Sequence, residues 1–110
     1  MVPFAGWNMP VQYKGITEEH LAVRRACGIF DISHMGQFRV EGPASRDWLN
    51  GLLTNNTTRL GIGQGQYTLL LNESGGVIDD LILYRTGAES WFLVVNASKT
   101  AEDLAWMPAR

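Results

Sequence analysis

Two adjacent carboxylates, Asp79-Asp80, lie between Val77-Ile78 and Leu81-Ile82-Leu83, inside a stretch that otherwise reads as a buried strand. An ionised carboxylate is costly to bury unless a cation pairs with it or donors hydrogen-bond to it. Apolar neighbours on both sides hold this pair in place, so either one strand face is wet or a ligand sits there. Alternation sends the side chains to opposite faces, Asp79 with Leu81 and Leu83, Asp80 with Ile78 and Ile82. Neither face is cleanly apolar or polar. One carboxylate then serves structure, capping a bend or pairing with an arginine, and the other is available to accept from a ligand N–H.

Other reactive residue types form weaker patterns. His20 and His34 stand on different elements, with Cys27 between them at no zinc-ligand spacing, so no metal site is expected. Ser33 and His34 are sequence neighbours whose side chains would diverge on a strand, which argues against a nucleophilic pair. His34 reads instead as a hydrogen-bonded structural histidine. Gly61-Ile62-Gly63-Gln64-Gly65 spaces its first glycines as a dinucleotide fingerprint does, but without the flanking strand and helix it reads as a loop.

The elements that position these residues follow from periodicity. Residues 1–15 read as an irregular apolar segment or short strand. Thr17 is the expected N-cap of a helix over about 18–27, with Glu18 and Glu19 in its first turn and Gly28 as its stop. Phe30 to Glu41 looks extended, with Phe38 and Val40 alternating against Gln37, Arg39 and Glu41. Ala44, Trp48, Leu49, Leu52 and Leu53 form a helical stripe over Ala44–Leu53. Thr54 to Gly65 is polar and glycine-rich, a loop. Strands are expected over Gln66–Leu71, Val77–Tyr84 and Trp91–Val95, the first two joined by the turn residues Asn72 to Gly76. Ser98 or Thr100 is the expected cap of a last helix reaching Trp106. The order predicts an α+β fold: a mostly antiparallel sheet with two or three helices.

Composition narrows the function classes. The chain has 110 residues, 45% hydrophobic and 18% charged, enough for one domain with a real core. A net charge of −2 with scattered basic residues offers no footprint for nucleic acid. No apolar run approaches the ~18 residues of a membrane span. A single cysteine and the lack of a secretory pattern at the N-terminus fit a reducing compartment. Both ends are apolar or helical rather than polar and frayed, so a truncated chain is expected.

Four motifs in order carry a resemblance over nearly the whole chain. These are Phe4-Ala5-Gly6-Trp7 with Met9-Pro10-Val11-Gln12-Tyr13, then Gly28 to Gln37 including Ser33-His34-Met35, then Leu70 to Ile82, then Val94-Val95-Asn96-Ala97. Together they resemble the N-terminal region of aminomethyltransferase, the T-protein of the glycine cleavage system. The Ser-His-Met stretch is closer to that enzyme than to the related sarcosine and dimethylglycine dehydrogenases. The resemblance implies a partial N-terminal folate-binding domain, with later domains of the family absent and the chain inactive alone. It implies a bacterial-type cytoplasmic protein, with a mitochondrial one as the alternative.

The activity implied is transfer of a methylene group to tetrahydrofolate, with release of ammonia. The group arrives as an aminomethyl on the lipoyl arm of the H-protein carrier, and neither nucleic acid nor membrane takes part. Matching motif to motif, Asp80 takes the place of the catalytic carboxylate near the reactive folate nitrogens. There it would stabilise positive charge on those nitrogens or on an iminium, or assist proton transfer if its pKa is suitable. Met35, Tyr67, Ile82 and Asn96 are implied as folate-pocket lining beside Asp80, with no metal. Asp79 is then the structural member of the pair. Rival readings are a folate-binding relative without transferase activity, serving iron–sulfur protein maintenance, and a non-functional structural fragment.

Overall fold

Ala5 and Gly6 both take positive φ, 49° and 83°, the pattern of a tight two-residue hairpin turn. They join β1 (Val2–Phe4) to β2 (Trp7–Met9), which pair antiparallel with Phe4 opposite Trp7. The computed structural model describes residues 1–109, and the chain forms two compact units, Met1–His34 and Met35 onward.

The first unit continues into α1 (Ile16–Arg25), which begins earlier than the sequence suggested. Thr17 does not cap it. The Gln12 side chain accepts from the Ile16 N–H at 3.0 Å, and the Glu19 carboxylate accepts from the N–H groups of Tyr13, Lys14 and Gly15. These backbone donors, Gly15 foremost, hold the Glu19 carboxyl below its ordinary value. Gly28 is not the stop either: the chain leaves the helix at Ala26, and Gly28 lies outside the left-handed region. A Cβ on Gly28 would collide with Val23, so close approach explains that glycine. Residues 30–35 are not strand. Asp31 Oδ1 accepts from the N–H of Ser33 at 2.9 Å and from its hydroxyl at 2.6 Å, a local turn that competes with extended pairing.

The second unit is a four-stranded antiparallel sheet with helices on one face. Its strands are β3 (Gly36–Glu41), β4 (Gly65–Leu71), β5 (Val77–Gly87) and β6 (Ser90–Val95), in the spatial order β3-β6-β5-β4. Alternation works as it should: Leu70, Leu81, Leu83, Trp91, Leu93 and Val95 are buried on one face. Helix α2 (Ser45–Leu52) and helix α3 (Thr100–Trp106) contribute to that side, with Leu49, Leu53, Leu60 and Met107 completing the core cluster. The fully buried Trp91 donates its indole N–H to Ser45 Oγ at 2.9 Å, tying β6 to the start of α2.

The loop between α2 and β4 contains one short 3₁₀ turn, Thr57–Arg59, and the expected loop at Gly61–Gly65 holds only as far as Gln64, because Gly65 already pairs with Tyr84 as the first residue of β4. The Asn72 side chain organises the β4–β5 turn by accepting from Ser74 and Gly76. Neither Ser98 nor Thr100 caps α3. A 3₁₀ turn, Ala97–Lys99, feeds into the helix, and the Thr100 hydroxyl donates back to the carbonyls of Asn96 and Ala97.

Candidate functional site

The register of the sheet decides which side chains meet. Tyr67 of β4 stands opposite Ile82 of β5, and Leu69 opposite Asp80, so Tyr67 and Asp80 are diagonal neighbours on one face. One step earlier the ladder slips: Leu70 pairs with Asp79 but Leu71 pairs with Val77, leaving Ile78 as the extra residue of a bulge. Such bulges re-aim the side chains that follow them, here the two aspartates. Asn96 follows the last residue of β6 directly, beside β5.

Asp80 is half-buried and well supplied with donors. The Tyr67 hydroxyl donates to Asp80 Oδ2 at 2.6 Å, and the Asn96 amide donates to Asp80 Oδ1 in a short contact. These two hydrogen bonds, Tyr67 first, hold the Asp80 carboxyl below its ordinary value. The same contact pushes the Tyr67 phenol up. An ionised acceptor beside a neutral phenol is therefore the resting state near neutral pH. That arrangement suits electrostatic stabilisation and orientation better than proton shuttling, which asks for a pKa near the working pH.

Asp79 faces the other way and is buried, at 5% exposure. Among the described residues no arginine pairs with it. Its oxygens accept instead from the Asp80 N–H at 2.9 Å, the Asn96 N–H at 3.3 Å and the Asn96 amide at 2.6 Å. The Asn96 NH₂ group thus serves both aspartates as well as the Asp80 carbonyl, three acceptors for two hydrogens. One amide clamps the two carboxylates that strand alternation separates.

Met35, Tyr67, Asp80, Ile82 and Asn96 line one shallow cavity of about 170 Å³, with Leu81 and Val94. All five residues singled out in the sequence thus come together in the second unit. A larger groove of about 420 Å³ is lined by Trp48, Leu52, Leu71 and Trp106 among others, and none of the five reaches it. The convergence of polar groups on Asp80, rather than size, marks the smaller cavity as the candidate site. His34 is not the hydrogen-bonded histidine expected of it. Its Nδ1 is buried without a partner among the described residues, and its ring meets Phe4 edge-to-face at 5.9 Å.

Comparison with known proteins settles the relationship. The GCVT N-terminal domain family matches residues 1–110. The chain belongs to that family. It is 51% identical over 109 residues to the aminomethyltransferase of Thermus thermophilus, covering 99% of this chain and 31% of that protein. The aminomethyltransferase of Symbiobacterium thermophilum is 49% identical over 107 residues, with 97% and 28% covered. The crystal structure of glycine cleavage system aminomethyltransferase T from Bartonella henselae superimposes with a TM-score of 0.90 at 43% identity, covering 98% of this chain and 30% of that one. The chain thus spans about 30% of the length of these relatives and is homologous to the N-terminal part of the T-protein.

One residue of this GCVT N-terminal domain escaped sequence reasoning. Asp103 of α3 is fully buried. The signal was present: Asp103 shares the i, i+3, i+4 stripe of Trp106 and Met107, which marks an inward-facing position.

Proposed function

We propose that this chain supplies one wall of the tetrahydrofolate site of a glycine-cleavage aminomethyltransferase, with Asp80 as its catalytic carboxylate. The observation that carries the reading is the Tyr67–Asp80–Asn96 hydrogen-bonded corner opening into an otherwise apolar cavity. A flat heteroaromatic ligand asks for that combination of apolar walls and a few fixed polar anchors. A volume of about 170 Å³ is smaller than the ~300–1,000 Å³ of a complete small-molecule pocket. The cavity therefore fits one end of the ligand.

The chemistry assigned to the corner is electrostatic. Tyr67 and Asn96 hold the Asp80 carboxylate ionised and fixed in direction before substrate arrives. Positive charge that develops on nitrogen as the methylene leaves its amino group then meets a preoriented anion. At ~4 Å and an effective dielectric of ~20 this attraction is on the order of 4 kcal/mol. Removing it should slow transfer by ~10²–10³-fold in a protein that carries this domain within a full aminomethyltransferase. The aminomethyl donor in this reading is the lipoyl arm of the H-protein.

Equilibrium binding of tetrahydrofolate to the 110-residue chain tests the assignment. The wild-type chain should bind weakly, with Kd on the order of 1 mM. Asp80→Asn and Tyr67→Phe should each weaken binding by ~10-fold, the loss of one charge-assisted hydrogen bond. Equal affinity in wild type and Asp80→Asn would remove Asp80 from this role.

A further inference from the structure

Asp103 is a buried carboxyl group for which neither the sheet nor the helix provides a donor. Its side chain has no exposed surface, and neither oxygen meets an N–H or O–H group among the described residues. Its carboxyl lies within hydrogen-bonding reach of the Asp79 carboxylate. The charged groups facing the pair from the packed elements are Glu102 of α3 and Lys99 from the turn before it, besides Asp79 itself on β5. Lys99 is not a counter-ion for the pair, because its ammonium is engaged by Glu102 at 3.0 Å on the surface. Two ionised carboxylates side by side in such a place are untenable, so one of them keeps a proton. Asp79 already accepts from three N–H groups, while Asp103 accepts from none. The proton therefore belongs on Asp103, the one member that gains a bond by donating.

We propose that Asp103 is a positioning residue: as a neutral carboxylic acid it donates to Asp79, and through Asp79 it holds the Asn96 amide against the Asp80 carboxylate. The relay runs from α3 through β5 to the residue after β6, and ends on the exposed face of the sheet. Burial first, and the Asp79 carboxylate second, push the Asp103 carboxyl up to about 8. Above that pH the pair carries two negative charges, and Asn96 can no longer satisfy both aspartates in the same geometry. Asp80 then loses its amide donor. That last consequence matters for catalysis only if Asp80 has the role proposed above, whereas the relay itself does not depend on it.

Carboxyl and side-chain amide NMR of the full chain between about pH 5 and about pH 10 tests the relay directly. The Asp103 carboxyl should titrate near 8, and the Asn96 NH₂ signals should move with the same midpoint. Asp103→Asn, which keeps a donor toward Asp79, should leave the Asn96 signals where they are and flatten their pH dependence. Asp103→Ala should displace them at every pH. Should the alanine variant not fold, the wild-type and asparagine profiles decide the matter together. An Asp103 midpoint near 4, or Asn96 signals indifferent to the titration of Asp103, overturns the proposal. Coupled titration without tetrahydrofolate binding would sink the folate assignment and leave the relay intact, and the reverse result would do the opposite.

Discussion

At the scale of single residues, Asp79 and Asp80 show how strand alternation divides labour between neighbours. The sheet buries Asp79 and turns Asp80 into the cavity, and Asn96 binds both. Two pH effects follow. Asp80 has a lowered folded pKa, so its contribution to stability is present above the unfolded value of 3.8 and is lost as the pH falls below it. The Tyr67 phenol should ionise above the ordinary 10. Ultraviolet difference titration should show that step moving back toward 10 in Asp80→Asn, where the charge that opposes ionisation is gone. The separation of the two aspartates was legible in the sequence because a period of two is a local property. The partner of Asp79 was not, because an arginine and an asparagine 17 residues away are equally compatible with alternation. Asp103 was missed for a related reason. A carboxylate on a helix reads as solvated until the burial of its stripe is known.

At the scale of elements, close approaches and turn chemistry are the exposed points. A Cβ on Gly36 would come within 2.6 Å of Val95 Cγ2 and would also strike the Thr100 side chain, so the start of β3 packs directly on the start of α3. Gly36→Ala should therefore destabilise by about 1–3 kcal/mol, the range for overpacking, measured by urea unfolding. Ser45→Ala leaves the buried Trp91 indole without its acceptor and should cost about 1–3 kcal/mol in the same assay. Strands β4, β5 and β6 were readable to within a few residues because each is a short apolar run bounded by turn residues, such as Asn72 to Gly76 between β4 and β5. The stretch at 30–35 was misread, because the Asp31–Ser33 side-chain turn outcompetes a weak alternating pattern. Helix starts failed for a similar reason. Gln12 and Glu19 cap α1 from outside the position that Thr17 seemed to fill.

At the scale of the whole molecule, the two units differ in how much core each owns. Among the described residues, all ten of the core cluster belong to the second unit, and α1 buries none of its residues. Amide exchange should accordingly be fast throughout α1 and slowest in β5 and β6, and similar protection in both units would contradict this. Global stability should also carry the signature of Asp103. A carboxyl raised from 3.8 to about 8 on folding contributes fully below the lower value and loses its contribution as the pH rises through the upper one. Asp103→Asn should thus gain in melting temperature relative to wild type on going from about pH 6 to about pH 9.

The central claim is that the Tyr67–Asp80–Asn96 corner receives tetrahydrofolate, and amide-resolved NMR titration of the full chain tests it most directly. Tetrahydrofolate at millimolar concentration should shift the backbone signals of Tyr67, Asp80, Ile82 and Asn96 and the Asn96 side-chain amide, while the Trp48–Trp106 groove stays still. Saturating shifts centred on that groove, or none anywhere, would contradict it.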